Sequence, residues 1–388
     1  MTTTADTYDL VIIGAGIAGA ALAWNLLHAG PADQRRPRVL VLEREPQPGY
    51  HSTGRSAAMF METYGAPQAR ALTRASRAFY ATPPDGFADV PLLAPRGAVY
   101  LGWEGDAAAL DALHQELSDT GSAVGRASAQ AMCRQVPVLR PEGLLGGVTE
   151  PDAMDIDVQA LHQGYLRGMR RAGGSLRCDA DVRQLSRDGA QWHIALADGT
   201  ELRAERVVNA AGAWADMVAG LAGLAPLGLQ PRRRSAFTFA APPSLDTRSW
   251  PSVAAVDNSW YFKPDAGQLL GSPANADPVP PHDVVPEELD IAIGIDGIQR
   301  RTTMEIRRPG RTWAGLRTFA PDDELVIGDD PRAPGFFWLA GQGGYGIQSG
   351  QGAALLATRL LLARSPTEDA LAEHGVVAAA MAPARLLR

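Results

Sequence analysis

Three glycines near the amino-terminal end of the chain have the spacing of a phosphate-binding turn. Gly14, Gly16 and Gly19 follow a short apolar run and precede a helix-like segment. The first glycine permits a tight bend, the second lets the backbone approach a pyrophosphate, and the third lets helix and strand pack closely. Glu43 ends the next apolar run, where a carboxylate accepts hydrogen bonds from a ribose 2′-hydroxyl. This order predicts a site for FAD or NAD, whereas Glu43 would repel the 2′-phosphate of NADP.

Two arginines are candidates for binding a carboxylate, because a guanidinium can donate two parallel hydrogen bonds to it. Arg317 lies in the apolar segment 313–319, and its position alone leaves a ligand role and a structural role equally open. Arg234 ends the run 232–234, and such a charge run more often forms a solvated surface. The seven histidines show no metal-binding spacing, and only His51, in a glycine-rich loop, lies near the candidate site.

The composition of the 388 residues is that of an enzyme without a nucleic-acid partner. The formal net charge is −7, and no basic stripe with interleaved aromatic residues is present. The only two cysteines, Cys133 and Cys178, cannot form a disulfide framework or a zinc site. The first eight residues lack the basic and apolar regions of a signal peptide, and no segment has the length of a membrane span. We therefore expect a cytoplasmic location.

Elements at both ends of the chain must together position these residues. Helical periodicity predicts helices over 66–80, 105–120, 155–171 and 351–362, and short strands are predicted over 181–185, 191–196, 201–208 and 335–340. We predict an α/β fold (α+β overall) in which a Rossmann-type FAD-binding domain is interleaved with a β-rich substrate-binding domain. The predicted FAD-binding domain comprises 1–80, 150–225 and 323–388, and the substrate-binding domain comprises 81–149 and 226–322.

Several segments together resemble the D-amino-acid oxidase superfamily of FAD-dependent oxidoreductases, and within it most closely the D-arginine and other D-amino-acid dehydrogenases. The resemblance covers nearly the whole chain. Its most specific motifs are the loops 49–58 and 341–348, with further matches at 151–174, 207–214 and 306–319. Membership implies FAD rather than NAD. Because neither cysteine lies beside the loop 341–348, the resemblance implies non-covalent attachment.

The resemblance also implies which residues contact the cofactor. The glycine turn and Glu43 would hold the ADP half, the loop 49–58 the pyrophosphate and flavin, and the loop 341–348 the isoalloxazine ring from a helix amino terminus. Carried over by position, the cofactor-binding residues are Gly14, Gly16, Ile17, Ala18, Gly19, Glu43, Arg44, Ser52, Thr53, Arg55, Ser56, Ala57, Val182, Ala211, Gly212, Trp214, Gly344, Tyr345, Gly346, Ile347 and Gln348.

The family's chemistry is the oxidation of a D-amino acid to its imino acid, which hydrolyses to the 2-oxo acid and ammonia. The resemblance assigns the substrate carboxylate to Arg234, Tyr261 and Arg317, and a mobile loop over the substrate to Tyr64. No histidine or carboxylate stands out as a general base. Substrate that is already deprotonated in solution would meet that need.

Four positions near the expected pocket depart from the relatives that oxidise cationic substrates. Ala98 replaces a glutamate that pairs with a guanidinium, and Met59 replaces a histidine. Ser252 and Ala254 replace bulkier apolar residues. Together with Gln348, these four residues form the predicted substrate pocket. We therefore expect an apolar or aromatic substrate side chain, unless Glu62 or another nearby acid has taken over recognition of a cation.

Three functions stay open at this point. The first is a dehydrogenase that passes electrons to a quinone or another acceptor. The second is an oxidase of the glycine or sarcosine type that uses oxygen. The third is a non-catalytic flavoprotein subunit, against which the presence of both arginines and Tyr261 argues. Neither the substrate nor the oligomeric state follows from the residues.

Overall fold

A computed structural model describes residues 6–29, 35–363 and 370–387. Most of the segment that we examined for a signal peptide, residues 1–5, lies outside these ranges. The described strands are β1 Asp6–Ile13, β2 Val39–Leu42, β3 Met59–Phe60, β4 Leu93–Pro95, β5 Ala98–Trp103, β6 Gly125–Ser128, β7 Leu144–Glu150, β8 Met154–Ile156, β9 Ser175–Arg177, β10 Val182–Asp188, β11 Gln191–Leu196, β12 Glu201–Asn209, β13 Gln230–Phe239, β14 Ser252–Ala255, β15 Tyr261–Asp265, β16 Gln268–Ser272, β17 Asp277–Pro278, β18 Thr312–Phe319, β19 Val326–Asp329 and β20 Phe336–Ala340.

The helices include several long amphipathic segments and a few short turns. They are α1 Ile17–His28, α2 Pro67–Ala81, α3 Ala107–Ser118, α4 Ala129–Gln135, α5 Val158–Arg171, α6 Ala215–Leu221, α7 Glu288–Arg301, α8 Gly350–Leu361 and α9 Ala370–Glu373, with 3₁₀ turns at Gly212–Trp214, Ala378–Met381 and Pro383–Leu386. Among the described residues no helix has the length and apolar character that crossing a bilayer requires.

The first sheet has the parallel centre of a dinucleotide-binding fold. Its strand order is β10-β11-β12-β1-β2-β9, and β20 pairs in parallel with the second half of β12. β1 is parallel to both of its neighbours and lies at the middle, so its apolar residues 10–13 are buried on both faces, as the sequence predicts. The carboxyl ends of β1, β2 and β12 therefore meet at one edge, where ligands bind in such sheets.

A second, nine-stranded sheet forms the β-rich part of the molecule. Its order is β17-β13-β16-β15-β14-β5-β7-β6, with β18 antiparallel to β13. The parallel pairing of β14 with β5 joins two separate stretches of the chain in one sheet. A small third sheet has the order β3-β8-β4; β3 and β4 precede β5 in the chain, and β8 follows β7. The division into two domains stays a prediction.

The predicted fold class is confirmed, and the helix predictions need one correction. Helices α2, α3, α5 and α8 lie where the periodicity predicts them. However, α5 begins at Val158, because Asp157 caps it by accepting a hydrogen bond from the Ala160 N–H at 2.8 Å. Asp155, predicted as the acidic start of this helix, instead lies in β8 and forms ion pairs with Lys263 and Arg96.

A glycine lets α8 pack directly on α2. A Cβ atom at Gly352 would lie 2.3 Å from the carbonyl oxygen of Leu72, and the Gly352 N–H donates to Ser76 Oγ at 2.9 Å. This contact fixes the start of α8 and, through it, the preceding loop 341–349.

We expect Gly352→Ala to lower the free energy of unfolding by about 1–3 kcal/mol, because overpacking a close contact forces backbone shifts. Gly220→Ala, in α6, is the matched control. Its Cβ would meet no atom within 4 Å, so it should be neutral or stabilising by up to about 1 kcal/mol. Urea unfolding of both variants measures the difference, and equal midpoints would contradict the packing argument.

Candidate active site

A single elongated cavity of about 710 Å³ connects the edge of the first sheet to the face of the second sheet. One end is lined by Glu43 and Val182, beside the glycine turn. The other end is lined by Arg234, Tyr261 and Arg317. The cavity is therefore long enough to receive an extended ligand and a second, smaller molecule beyond it.

The glycine turn has the close contacts that its sequence predicts. Gly14 has a φ of +108°, and a Cβ there would lie 2.4 Å from the carbonyl oxygen of Ala210. A Cβ at Gly19 would lie 2.0 Å from the Gly14 oxygen, so Gly19 serves the packing of α1 and does not line the cavity. Helix α1 has no acidic residue in its first turn, which leaves its positive end suited to an anion.

Glu43 and His162 hold this turn in place. One oxygen of Glu43 accepts a hydrogen bond from the Ala15 N–H at 3.0 Å, and the other accepts from the Glu45 N–H at 3.1 Å. The buried His162 ring lies 2.9 Å from the Ala15 carbonyl oxygen. Burial lowers the pKa of His162 and outweighs the opposing effect of that hydrogen bond, so the ring is held neutral and donates to Ala15.

The loop 49–58 lines the cavity, but three of its side chains bind protein groups. Thr53 Oγ1 accepts a hydrogen bond from the Ile17 N–H at 3.0 Å, and Ser52 donates to the Leu316 carbonyl at 2.6 Å. The Arg55 guanidinium donates to Asp283 at 2.5 Å and to the carbonyls of Val284 and Ala314. These three residues therefore position the loop between the two sheets, in addition to any contact with a ligand.

Strand alternation separates the three consecutive arginines of β13. Arg233 points away from the cavity and forms ion pairs with Asp277, Glu287 and Asp290. Arg234 lies on the opposite face, lines the cavity and donates to the Asn275 carbonyl at 2.5 Å. In the described part of the chain, neither Arg234 nor Arg317 has a carboxylate partner. Arg232 lies over the Phe319 ring, 4.7 Å from its centroid.

Arg317 and Tyr64 meet at the far end of the cavity. The Arg317 Nη2 donates to the Tyr64 hydroxyl at 2.5 Å. A Cβ at Gly344 would lie 1.6 Å from the same nitrogen, so only glycine leaves room for this guanidinium. Burial and the charge of Arg317 lower the pKa of Arg234. Burial raises the pKa of Tyr64, but Arg317 and Arg234 outweigh it and bring that pKa below its usual value.

The residues predicted for the substrate pocket all line this end of the cavity, namely Met59, Tyr64, Ala98, Arg234, Ser252, Ala254, Tyr261, Arg317 and Gln348. Gln348 also organises the segment that carries Tyr64. Its side-chain amide donates to the Tyr64 carbonyl at 3.1 Å and accepts from the Met61 N–H at 3.3 Å.

The loop 341–349 corrects one prediction and adds one residue. Tyr345, predicted to contact the cofactor, does not line the cavity; its ring packs against Tyr64 and Phe319. Gln342 was not predicted, yet it lines the cavity, and its buried Nε2 has no hydrogen-bond partner in the described part of the chain. Only its place between glycines in the specific motif 341–348 pointed to it.

The remaining residues predicted to bind the cofactor also line the cavity. They are Gly16, Ile17, Ala18, Arg44, Ser56, Ala57, Ala211, Gly212, Trp214, Gly346 and Ile347. Arg44 stacks over Trp214 at 4.5 Å from its ring centroid, and His51 lies beside the same ring while pairing with Glu45 at 2.8 Å.

These features fit an extended dinucleotide with a flavin. The glycine turn offers an uncapped helix end to a pyrophosphate, and the unpartnered Gln342 amide requires an acceptor such as a flavin carbonyl oxygen. No group of three or more metal-ligating side chains occurs within residues 6–29, 35–363 and 370–387.

We expect the stability of the protein to fall as the pH drops below about 6.5, the ordinary histidine pKa. His162 has a lowered pKa in the fold, so the unfolded chain binds the proton more readily. In His162→Gln the loss of unfolding free energy between pH 7.5 and 5.5 should be smaller, by on the order of 1 kcal/mol. Urea unfolding at both pH values measures it. His193→Gln is the control and should behave as the wild type does.

Known proteins match this chain over nearly its full length. The chain is 25% identical over 391 residues to "FAD-dependent oxidoreductase domain-containing protein 1" of Bos taurus, covering 88% of this chain and 78% of that protein. The fold matches glycine oxidase from Geobacillus kaustophilus with a TM-score of 0.81 at 22% identity, covering 96% and 99% of the two chains. It also matches L-proline dehydrogenase from P. horikoshii with a TM-score of 0.82 at 16% identity, covering 98% of each chain.

The sequence profile of the family described as FAD dependent oxidoreductase (DAO) matches residues 9–360. That span includes the glycine turn, the loop 49–58 and the loop 341–348, which are the parts that line the cavity. The predicted cofactor, FAD, is thereby confirmed. The chain belongs to the FAD dependent oxidoreductase (DAO) family and is an FAD-binding oxidoreductase.

Proposed function

We propose that the protein oxidises the Cα–N bond of an amino acid, with an apolar or aromatic D-amino acid as its substrate. The product is the imino acid, which water hydrolyses to a 2-oxo acid and ammonia. The observation that carries the proposal is the pair of guanidinium groups, Arg234 and Arg317, at the end of the cavity without an anionic partner among the described residues. The two structural neighbours, a glycine oxidase and an L-proline dehydrogenase, are both named for amino-acid substrates, which is compatible with the proposal.

A carboxylate is the anion that this pair fits best. Two neighbouring positive charges repel each other, and the lowered pKa of Arg234 reports that repulsion together with burial. A bound carboxylate removes the repulsion and accepts charge-assisted hydrogen bonds from both groups. Tyr261, which lines the same end, offers its hydroxyl as a further donor. Arg233, in contrast, is already surrounded by three protein carboxylates and therefore needs no anion from a ligand.

In this proposal the other residues of the cavity hold the cofactor. The turn at Gly14 and Gly16 would hold the pyrophosphate, Glu43 the ribose, and the loop 341–348 the flavin. When bound, FAD accepts the hydride that leaves the substrate Cα. Arg234 and Arg317 orient the substrate by its carboxylate, and Tyr64 closes the cavity against bulk water. Neither cysteine lines the cavity, which supports non-covalent attachment.

The side-chain pocket supports an apolar substrate. The lining at this end includes Met59, Met61, Ala98, Ala254 and Trp260, none of which carries a charge. Glu62, the acid considered as a replacement for the missing glutamate, forms an ion pair with Arg77 at 2.5 Å. It therefore lacks a free carboxylate for a cationic substrate. Quinone and oxygen are the two candidate electron acceptors, and an oxidase of the glycine or sarcosine type is the alternative function.

Anaerobic titration of the yellow protein with amino acids tests the proposal. We expect D-leucine, D-methionine or D-phenylalanine to bleach the flavin absorbance, and D-arginine to do so with a lower second-order rate constant, because no carboxylate of the described residues lines the substrate end of the cavity. Glycine, sarcosine, L-proline and the L-enantiomers complete the panel. Faster bleaching by glycine or sarcosine would favour the alternative oxidase, and so would peroxide formation in air. Bleaching by no compound would overturn the catalytic proposal.

Arg234→Lys and Arg317→Lys should each lower kcat/KM at least about 10-fold, because lysine keeps the charge but loses the planar pair of donors. Both variants should also weaken binding of an inert carboxylate such as benzoate, followed by the flavin absorbance of the oxidised enzyme. Arg232→Lys is the matched control on the same strand. Its guanidinium stacks on Phe319 outside the cavity lining. Equal effects of all three substitutions would argue against a carboxylate at this site.

A further inference from the structure

One carboxyl group near the substrate end of the cavity has no place in the proposed reaction. Glu150 is the last residue of β7 and is only 4% exposed. The backbone pairs it directly with Ala98 on the neighbouring antiparallel strand β5. Side chains of such a pair lie on the same face, with Cβ atoms about 5 Å apart. Ala98 lines the cavity. The Glu150 side chain therefore extends from the strand next to the one that lines the cavity, on the same face of the sheet.

The carboxyl group of Glu150 has one satisfied and one unsatisfied oxygen. The Thr63 hydroxyl donates a short hydrogen bond to Oε2. Oε1 is buried and has no hydrogen-bond partner among the described residues. A buried acceptor without a donor costs about 1–3 kcal/mol. Such a group is therefore rare in a native structure unless a ligand, a water molecule or a movement supplies the donor.

Tyr100 connects this carboxyl group to the cavity. Tyr100 follows Ala98 by two residues in β5, so both side chains lie on the same face, and Tyr100 also lines the cavity. Its hydroxyl lies close enough to the Glu150 carboxyl group for the two groups to interact. Burial and the neighbouring Glu150 raise the pKa of Tyr100 well above its usual value. Burial likewise raises the pKa of Glu150.

We propose that Glu150 and Tyr100 form the end of the substrate side-chain pocket and select side chains with an apolar stem and a terminal uncharged hydrogen-bond donor, such as a hydroxyl group. The inference rests on the proposed amino-acid oxidation and narrows its substrate class. The stem lies against Met59, Met61 and Ala98, and the donor reaches Glu150 directly or through the Tyr100 hydroxyl. Ala98 is part of the arrangement, because a larger side chain there would cover the carboxyl group.

A purely structural role for Glu150 makes a different prediction. Thr63 precedes Tyr64, so the Thr63–Glu150 hydrogen bond could serve only to hold the segment that carries Tyr64. Loss of that bond would impair the oxidation of all substrates to the same degree. If Glu150 instead selects a terminal donor, its replacement changes the ratio of the rate constants of two substrates that differ only in that donor.

Norleucine and 5-hydroxynorvaline form such a pair, because a hydroxyl group replaces the terminal methyl group of an otherwise identical side chain. The experiment uses whichever enantiomer reduces the flavin of the holoenzyme, and it measures the anaerobic second-order rate constant of reduction. In the wild type we expect 5-hydroxynorvaline to react at least about 10-fold faster than norleucine, the usual effect of one hydrogen bond in a buried site. Glu150→Leu should bring the ratio to one or below.

Glu150→Gln keeps one acceptor oxygen but replaces the other oxygen with an NH2 donor, so its ratio should lie between those of the wild type and Glu150→Leu. It also tests the proposal if Glu150→Leu does not fold. Glu62→Gln is the matched control, since Glu62 lies in the same segment but pairs with Arg77, and its ratio should equal that of the wild type. A ratio near one in the wild type, or an unchanged ratio in both Glu150 variants, would overturn the inference alone. Reduction by no amino acid would overturn the proposed function and the inference together.

Discussion

Two positive charges without a protein counter-charge dominate the functional end of this molecule. Arg234 and Arg317 come from adjacent strands of the second sheet, and each finds only a neutral oxygen as its partner among the described residues. Burying such charges is costly unless an anion completes the site. The surrounding structure keeps carboxylates away from this point and collects three of them around Arg233, one residue away on the other face of the strand.

Three hydrogen bonds hold the loops that line the cavity in place around these charges. Gly343 donates its N–H to the Thr318 carbonyl at 2.7 Å, which holds the loop 341–349 against β18. Tyr80 fixes the other end of the loop, because its buried hydroxyl donates to the Ile347 carbonyl at 2.7 Å. Arg55 joins the loop 49–58 to Asp283, from the β-rich part of the chain. The end of the cavity that holds the two arginines therefore depends on contacts that also shape the loops 49–58 and 341–349.

The sequence predicted the fold class and the cavity's lining far better than the partners of individual side chains. Gly14 and Glu43 belong to a local pattern whose physical requirements can be read from spacing. Arg55 looked like a phosphate ligand, yet its guanidinium binds groups more than 200 residues away. Tyr345 lies inside a cofactor-binding motif but turns into the core. The direction in which such a side chain points depends on tertiary packing, which no local pattern encodes.

Glu150 shows most clearly what the sequence of a single strand cannot predict, namely which residue the paired strand places beside it. By the resemblance, Ala98 stands where the relatives that oxidise cationic substrates have a glutamate facing the substrate. The sequence alone therefore suggests that the pocket has lost its acid. The sheet places another acid directly across from it, at a separation of 52 residues along the chain. Antiparallel pairing makes the two positions nearly equivalent in space, since opposite side chains share one face. A pocket can therefore keep a carboxyl group while its own strand loses one, and the chemistry of its substrate depends on the pair of strands rather than on either residue alone.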